Sequence, residues 1–241
     1  MNPELKTEPL ALPVAGLTPL TTIDFPGELA AVIFLQGCPW RCGYCQNGEL
    51  LARRPTGVLD WTEIVAWLKT REGLLDGVVF SGGEPTLHRG LEAAIQQVKS
   101  LGYRVGLHTA GIYPERLKLL LPLLDWVGLD IKSTRRDYKR ITGVRGSARR
   151  AWKSARYLLD SGVAHEIRTT VHPDMLNQQQ VSRLADELLD LGAQRFVIQQ
   201  CVLKGCLDES RRVSHARKAD EFFLHQLGSL FPHFEVRRSS Q

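Results

Sequence analysis

The sequence predicts an α/β protein in which a parallel β-sheet is covered by outer helices. Short apolar runs, typical of strands buried on both faces, recur along the chain, and an amphipathic helical pattern follows each of them. The chain has 241 residues, 43% of them hydrophobic and 24% charged, so it can bury a sizeable core without disulfide bonds. Because crossovers between parallel strands are right-handed, the sheet winds into a barrel or a doubly wound sheet, and periodicity does not choose between them.

Six strands are predicted from apolar runs, and a seventh from a short segment near the end of the sequence. In chain order the predicted strands cover residues 30–35, 77–80, 104–107, 126–131, 167–171, 196–198 and 234–236. Residues 1–20 contain four prolines, which favour an extended lead-in ahead of the first strand. The sequence contains no convincing linker or internal repeat, so we expect a single domain over residues 1–241.

Helices are predicted between the strands from apolar spacing and from capping residues. Asp60 is expected to cap a helix that buries Ile64 and Leu68. Glycines at positions 102, 162 and 192 are expected to end three further helices, whose apolar stripes begin near positions 91, 148 and 181. A leucine-rich helix is predicted to begin near Pro114. The basic stretch after Arg211 is predicted to form the last helix.

Composition excludes several classes of protein. The charged and apolar fractions are ordinary, which excludes a disordered or fibrous chain. The leucine-rich stretch at 117–124 is interrupted by Lys118 and Pro122, and a membrane span needs about 20 apolar residues. Residues 1–7 lack the apolar core of a signal peptide. We therefore expect a cytoplasmic protein that does not bind membranes.

The net charge of +5 is unevenly spread, because one segment carries a dense set of basic residues. They are Lys132, Arg135, Arg136, Lys139, Arg140, Arg145, Arg149, Arg150, Lys153 and Arg156. A solvated helical face is one interpretation, and a docking surface for an acidic protein is the other. Nucleic acid is a less expected partner, because no aromatic residues alternate with the charges as they do in single-strand binders.

Three of the five cysteines fall within eight residues. Cys38, Cys42 and Cys45 follow the first predicted strand with the spacing C-x3-C-x2-C. In a cytosolic protein such a group indicates metal binding rather than disulfides. Iron–sulfur clusters are held by thiolates, usually four. Three thiolates would bind three irons of a cubane and leave the fourth iron open to a small ligand, which is the logic of a catalytic site.

A structural zinc site with a fourth ligand from elsewhere, and a loop of buried thiols, are the alternatives for these three cysteines. Zinc sites usually present paired C-x2-C spacings, and one such pair is present here. Cys201 and Cys206 are expected to be half-buried thiols. Cys201 follows the sixth predicted strand, where catalytic groups of such folds cluster, so it is kept as a candidate catalytic residue.

Two motifs, in this order, resemble the radical S-adenosylmethionine (SAM) superfamily. The first is the cysteine loop, with Tyr44 before its last cysteine. The second is the segment 81–85 (SGGEP), which follows the second predicted strand and is similar to the superfamily's Gly-Gly-Glu-Pro segment. The resemblance implies a partial (β/α)6 TIM-like barrel, a [4Fe–4S] cluster held by Cys38, Cys42 and Cys45, and SAM bound at the open iron.

Further segments resemble the activating enzymes of glycyl radical enzymes. Residues 24–27 (DFPG) are similar to an Asp-x-Pro-Gly loop, residues 130–132 (DIK) to an Asp-Leu-Lys segment, and residues 167–171 (IRTTV) to a strand that carries an arginine. Gln46 and His108 depart from the pattern, which has histidine and an acidic residue there. The whole pattern most resembles activating proteins of anaerobic ribonucleoside-triphosphate reductase, and is also similar to pyruvate formate-lyase activating enzymes.

The resemblance also implies which residues bind the cofactor. They are Tyr44, Gly82, Gly83, Glu84, Thr109, Asp130, Lys132 and Arg168. The two glycines would let the backbone approach the ligand closely. Glu84 would accept the methionine ammonium, or cap a helix, and Arg168 would bind the methionine carboxylate, or form a structural ion pair. Tyr44 would line the adenine pocket or pack the loop.

The implied activity is that of a radical SAM oxidoreductase. It would cleave SAM to methionine and a 5′-deoxyadenosyl radical, which would take a hydrogen atom from a glycine Cα of a partner glycyl radical enzyme. Reduced flavodoxin or ferredoxin would supply the electron. The alternatives are a pyruvate formate-lyase-type activating enzyme, an enzyme acting on a small molecule such as 7-carboxy-7-deazaguanine synthase, and a non-catalytic zinc or nucleic-acid-binding module.

Overall fold

A computed structural model of the protein describes residues 12–52, 59–214 and 220–238. Within these residues, eight strands form one sheet and are hydrogen-bonded in chain order. They are β1 (Val14–Thr21), β2 (Ala30–Leu35), β3 (Gly77–Gly82), β4 (Arg104–Thr109), β5 (Trp126–Asp130), β6 (Ala164–Val171), β7 (Arg195–Gln200) and β8 (His233–Arg237). Strands β2 to β8 are parallel, and β1 is antiparallel to β2. The predicted α/β class with a parallel sheet is confirmed.

The helices lie between the strands, as the spacing of apolar residues predicts. They are α1 (Trp61–Lys69), α2 (Leu91–Ser100), α3 (Pro114–Leu120), α4 (Tyr138–Thr142), α5 (Ser147–Ser161), α6 (Gln178–Leu191) and α7 (Glu221–Gly228). The Asp60 carboxylate accepts a hydrogen bond from the Thr62 backbone N–H at 2.6 Å, so the predicted cap of α1 is confirmed. Gly162 and Gly192 end α5 and α6 in the left-handed conformation.

Strand β1 lies in the segment that the sequence predicts to be an extended lead-in. Its residues pair with β2, from Val14 opposite Leu35 to Thr21 opposite Ala30. Prolines argue against a strand inside a sheet, because each one removes a hydrogen-bond donor. An edge strand tolerates Pro19, since one side of its backbone needs no partner, and the pairing register shifts between Thr18 and Thr21.

The last helix begins later than the sequence predicts. Arg211 ends a short 3-10 turn, Glu209–Arg211, and α7 begins only at Glu221. The carboxylate of Asp220 caps α7 by accepting the Phe223 backbone N–H at 2.7 Å. Residues 215–219 of the predicted helix lie outside the described residues. Basic residues alone therefore mark the helix poorly, whereas the capping aspartate marks its start.

Two apolar clusters cover the two faces of the sheet. Ile33 and Leu35 of β2 pack into the larger cluster with the helices, whereas Val32 packs into the smaller one. Phe25, from the loop before β2, fills the smaller cluster and stacks on Trp126 with 5.8 Å between ring centroids. This packing leaves the carboxyl ends of the strands for the site. Among the described residues, no helix is long and apolar enough to cross a membrane.

Candidate active site

A cavity of about 340 Å³ lies at the carboxyl ends of the parallel strands. All these strands end at one edge of the sheet, so side chains distant in sequence meet there. The predicted site residues in its wall are Cys38, Cys42, Tyr44, Cys45, Gly82, Gly83, Thr109, Asp130, Lys132 and Arg168. Two predicted residues, Glu84 and Cys201, are not part of this wall.

The cysteine loop is held in place by its own backbone and by one arginine. Cys38 and Cys42 are each 8% exposed, and Cys45 is half-buried. The guanidinium of Arg41 donates hydrogen bonds to the carbonyl oxygens of Cys38 at 2.6 Å and Trp40 at 2.8 Å. These contacts fold the loop around the Arg41 side chain, so that all three thiols stand at the cavity.

Burial favours the protonated form of the Cys38 and Cys42 thiols before a metal binds. It raises the pKa of Cys38 to about 12, and the negative charge of Glu84 adds to the effect. The pKa of the Cys42 thiol is also raised by burial, although Lys132 opposes the shift. Metal ligation requires the thiolate form, so binding of a metal group by these cysteines would release their protons.

The wall of the cavity fits an iron–sulfur cluster and a polar ligand. Within the described residues, no three His, Cys, Asp or Glu side chains converge as they would around one ion. A single zinc ion needs every thiolate at about 2.3 Å, whereas the three thiolates of a cluster bind different irons. The buried donors Tyr44 Oη and Trp40 Nε1 have no hydrogen-bond partner, although both residues line the cavity. Such unpaired donors indicate a polar ligand.

Charged side chains form a chain along one side of the cavity. The Arg168 Nε donates to Asp130 Oδ1 at 2.9 Å, and Lys132 Nζ lies 3.5 Å from Asp130 Oδ2. Burial alone would raise the pKa of Asp130, but Arg168 and Lys132 hold it below its usual value. The Lys132 ammonium also lies over the Tyr44 ring, 5.7 Å from the ring centroid. Asp130 therefore stays ionised between two cations that face the cavity.

The carboxylate of Glu84 connects two strand ends. Its Oε1 accepts hydrogen bonds from the Thr86 backbone N–H and from the hydroxyls of Thr86 and Thr109, and its Oε2 accepts from the Ala110 N–H. The carboxylate is fully buried and these four donors occupy it. It ties the end of β3 to the end of β4. Its predicted contact with a cofactor ammonium therefore stays a prediction that the cavity wall does not support.

The two glycines allow the two motifs to touch. A Cβ at Gly83 would lie 2.3 Å from the Gly37 carbonyl oxygen, so no side chain fits between these backbones. Gly82 has a φ of 114°, which favours glycine, and a Cβ there would meet the Leu35 backbone at 2.4 Å. The Glu84 N–H donates to the Gly37 carbonyl at 2.9 Å. The segment 82–84 thus packs against the start of the cysteine loop and holds it in place.

His108 is a cavity residue to which the sequence assigns no role. Its Nε2 donates to the Asp24 carbonyl at 2.9 Å, so Nδ1 is an acceptor, with Ser81 Oγ at 3.4 Å. Burial, reinforced by Arg168, lowers the pKa of His108 to about 3. A neutral imidazole therefore stands where the resembling activases carry an acid. The sequence feature that could have identified His108 as a cavity residue is its position directly after the third predicted strand, residues 104–107.

Cys201 lies beside the cavity rather than in it. It is 7% exposed, and its Sγ lies 3.6 Å from the Sγ of Cys206. The segment 201–208 supports the cysteine loop, because the Leu207 N–H donates to the Cys45 carbonyl at 2.8 Å. Gln46 Nε2 donates to the Val202 carbonyl at 3.3 Å. The geometry thus gives Cys201 a supporting place in the fold and no access to the cavity.

The sequence profile of the radical SAM superfamily matches residues 32–196. The chain belongs to this superfamily. Its cofactors are accordingly a [4Fe–4S] cluster and SAM, and it is an enzyme. This membership sets aside the non-catalytic zinc or nucleic-acid-binding module among the alternatives.

Relatives of the chain differ in function. It is 30% identical over 226 residues to a Methanocaldococcus jannaschii protein whose name, glycyl-radical enzyme activating enzyme, is itself provisional, and the match covers 90% of both chains. It is 31% identical to the pyruvate formate-lyase-activating enzyme of Streptococcus mutans, over 71% of this chain and 67% of that one. It is 30% identical to the 7-carboxy-7-deazaguanine synthase of Methanopyrus kandleri, over 45% of this chain and 51% of that one.

Solved structures share the fold. SuiB of Streptococcus suis, bound to its precursor peptide SuiA, matches with a TM-score of 0.65 at 17% identity, over 86% of this chain and 48% of SuiB. The chain thus spans about half the length of SuiB. QueE of Escherichia coli matches with a TM-score of 0.61 at 17% identity, over 95% of this chain and 94% of QueE. The likeness to these enzymes confirms the partial TIM-like barrel.

Proposed function

We propose that this radical SAM enzyme generates a glycyl radical on a partner enzyme, and that the partner is an anaerobic ribonucleoside-triphosphate reductase. The match to the Methanocaldococcus jannaschii activating enzyme carries the proposal, because it covers 90% of both chains. The activase-like segments 24–27 and 130–132 support it, since both reach the cavity through Asp24, Asp130 and Lys132.

Cys38, Cys42 and Cys45 are the proposed ligands of the cluster. When bound and reduced, a cluster held by these thiolates would supply the electron for the cleavage of SAM to methionine and a 5′-deoxyadenosyl radical, and this radical would take a hydrogen atom from the partner's glycine. The protein itself binds, orients and excludes competing reactants. The buried loop keeps Cys38 and Cys42 away from solvent, with only 8% of each residue exposed.

The polar wall of the cavity has groups of both signs for the zwitterionic methionine part of SAM. We assign its carboxylate to Lys132 and Arg168, whose cationic groups meet at Asp130. The backbone at Gly82 and Gly83 is the proposed neighbour of its ammonium, because both residues line the cavity and neither has a side chain. The unpaired hydroxyl of Tyr44 is available to the nucleoside part.

Spectroscopy tests the proposed activity. The protein is reconstituted with iron and sulfide without oxygen, then mixed with SAM, dithionite and a candidate reductase. A glycyl radical signal in electron paramagnetic resonance is expected on the reductase. Cys42→Ala, which removes one proposed ligand, should abolish both the signal and SAM cleavage. Retained cleavage in Cys42→Ala would show that the ligand set is wrong.

An enzyme acting on a small molecule is the second candidate. It is favoured by the match to 7-carboxy-7-deazaguanine synthase, which covers about half of each chain. Rapid SAM cleavage with no glycyl radical on a reductase or on pyruvate formate-lyase would favour this candidate. A radical on pyruvate formate-lyase alone would instead reassign the partner.

Three further expectations belong to the same proposal. Reduced flavodoxin or ferredoxin is the proposed electron donor. A cytoplasmic location is proposed, because the cysteine ligands must stay reduced. The 241 residues are proposed to form one domain, in keeping with a family match that runs across most of the strands.

A further inference from the structure

Helix α5 begins with positive charges at the positive end of its own dipole. Its N-cap is Gly146, which has no side chain to cap it, and its first turn contains no acidic residue. Arg149 and Arg150 are its third and fourth residues, and Arg145 lies just before it. Cations near a helix N-terminus are unfavourable because they lie at the positive end of the helix dipole. This unfavourable placement indicates that the charges interact with a binding partner rather than stabilise the helix.

These arginines belong to a surface on which several cations have no acidic partner. In the described part of the chain, five exposed side chains of the segment 132–156 have no hydrogen-bond, ion-pair or aromatic partner. They are Arg136, Lys139, Arg145, Arg149 and Arg150, and together they are called the basic face. Other cations of the segment are paired, as Lys153 is with Glu115 at 2.5 Å. The segment's one acid, Asp137, is engaged by Gln180.

The basic face adjoins the outer side of the cysteine loop. The Arg41 N–H donates to the Thr142 carbonyl at 3.0 Å, and the Trp40 ring packs edge-on against Tyr138, with 5.7 Å between centroids. Both Tyr138 and Thr142 belong to α4, which also carries Lys139. A protein that contacts Lys139 of the basic face would therefore lie beside α4, which packs against the residues that connect Cys38 to Cys42.

We propose that the basic face docks an acidic protein that carries one electron, of the flavodoxin class, and that this carrier reduces the cluster. The inference rests on the cofactor assignment above. One electron would leave the anionic flavin hydroquinone, which becomes the neutral semiquinone, and enter the oxidised cluster. The sulfurs of Cys38 and Cys42 are buried, so a carrier on the basic face would pass its electron through their loop rather than touch these sulfurs.

Position and chemistry favour this occupant over two others. A partner enzyme must send its glycine into the cavity, whereas the basic face lies outside α4 and the start of α5. A nucleic acid would use aromatic side chains to stack bases. The aromatic residues of the segment 132–156, Tyr138 and Trp152, are buried, at 0% and 5% exposure. Of the three occupants, an acidic protein carrier therefore fits the basic face best. Charge complementarity of this kind acts mainly on the rate of association.

Charge reversal with a matched control tests the docking surface. The test variant is Arg149→Glu/Arg150→Glu. The control, Lys69→Glu/Arg195→Glu, makes the same charge change at exposed positions at the opposite end of the barrel, where α1 ends and β7 begins. Loss of cluster absorbance is followed anaerobically by stopped flow, with reduced flavodoxin or with dithionite as donor.

With flavodoxin at low salt, the test variant should be reduced about tenfold more slowly than the unsubstituted protein, because steering contributes that much or more to association. The control should stay within about twofold, and the difference should shrink as salt screens the charges. Dithionite should reduce all three proteins equally. The test variant should also unfold at a higher temperature, since glutamate suits the start of α5.

Other outcomes would overturn the inference. Equal slowing of cluster reduction in the control would show an effect of net charge alone. An unchanged rate of reduction by flavodoxin in the test variant would show that the basic face does not dock the carrier. If only the glycyl radical yield with dithionite fell, the basic face would dock the partner enzyme. If the variant lost affinity for a short DNA duplex instead, the occupant would be nucleic acid. Cluster reduction is measured without a partner enzyme, so it is independent of the proposed activity.

Discussion

His108 shows how one side chain is kept uncharged at a site rich in charges. Its Nε2 donates to the Asp24 carbonyl, and its ring meets Trp126 edge-on at 5.5 Å between centroids. Burial lowers the pKa of this imidazole to about 3, and the positive charge of Arg168 adds to the shift. At neutral pH it therefore serves as a neutral hydrogen-bonding group that joins the loop 24–27 to β4.

The lowered pKa predicts a pH dependence of folding. Between pH 3 and 6.5 the unfolded chain binds a proton at His108 that the folded chain does not, so stability falls as the pH is lowered through this window. From pH 7.5 to 5.5 the loss is roughly 1.4 kcal/mol for this group. His108→Gln should remove that part of the slope in chemical denaturation at the two pH values. Identical slopes for the two proteins would contradict the neutral assignment.

At the scale of elements, the end of β3 and the cysteine loop depend on each other. The Gly83 N–H donates to the Leu35 carbonyl at 2.8 Å, and Glu84 ties this strand end to β4. The Cβ that Gly83 lacks would collide with the carbonyls of Gly37 at 2.3 Å and Leu50 at 2.9 Å. These are backbone atoms, which cannot rotate away as a side chain would.

Gly83→Ala should therefore displace the cysteine loop. We expect at least a severalfold loss of iron and sulfide bound after anaerobic reconstitution, because overpacking against backbone costs about 1–3 kcal/mol. Gly16→Ala is the matched control, since its Cβ would find the nearest atom, in the Phe34 ring, at 4.0 Å. Cluster content is measured by absorbance and iron analysis. A normal content in Gly83→Ala would mean that the loop is held mainly by other contacts, such as those of Arg41.

Across the whole molecule, buried charges connect the last strand to the cavity. Arg237 of β8 donates two hydrogen bonds to Glu166 of β6, at 2.6 and 2.8 Å, and Glu166 is fully buried. Arg168 Nη1 lies 3.9 Å from Glu166, while its Nε bonds Asp130 at 2.9 Å. Signs alternate along this chain of groups, so each charge has a partner on either side. Strand β8 thus helps to set where Arg168 points.

Arg237→Met should unbalance this chain. The single variant leaves a buried carboxylate without its bidentate partner, which costs about 3–5 kcal/mol. Arg168 should then turn toward Glu166 and away from Asp130, weakening SAM binding. The double variant Glu166→Gln/Arg237→Met should recover most of the stability. Denaturant unfolding and equilibrium SAM binding to the reconstituted protein check both effects. Unchanged stability in the single variant would show that Glu166 does not depend on Arg237.

The sequence alone predicted the class of fold, the segments that form the inner strands and a metal-binding role for the cysteine loop. Apolar periodicity predicts which segments are strands, and C-x3-C-x2-C with SGGEP predicts a ligand set, because both signals are local in the chain. It could not reveal β1, whose prolines are acceptable only at an edge, or the start of α7 at Glu221.

Tertiary structure decided what each polar group at the site is free to do. Glu84 resembles a cofactor ligand by position, but four donors from two strand ends occupy its carboxylate. Cys201 follows a strand that lines the cavity, but it packs beside the cavity against Cys206. Hydrogen-bond partners and depth below the surface depend on segments brought together by folding. The identity of a residue therefore indicates its chemistry, and only its neighbours in space decide whether that chemistry faces the cavity.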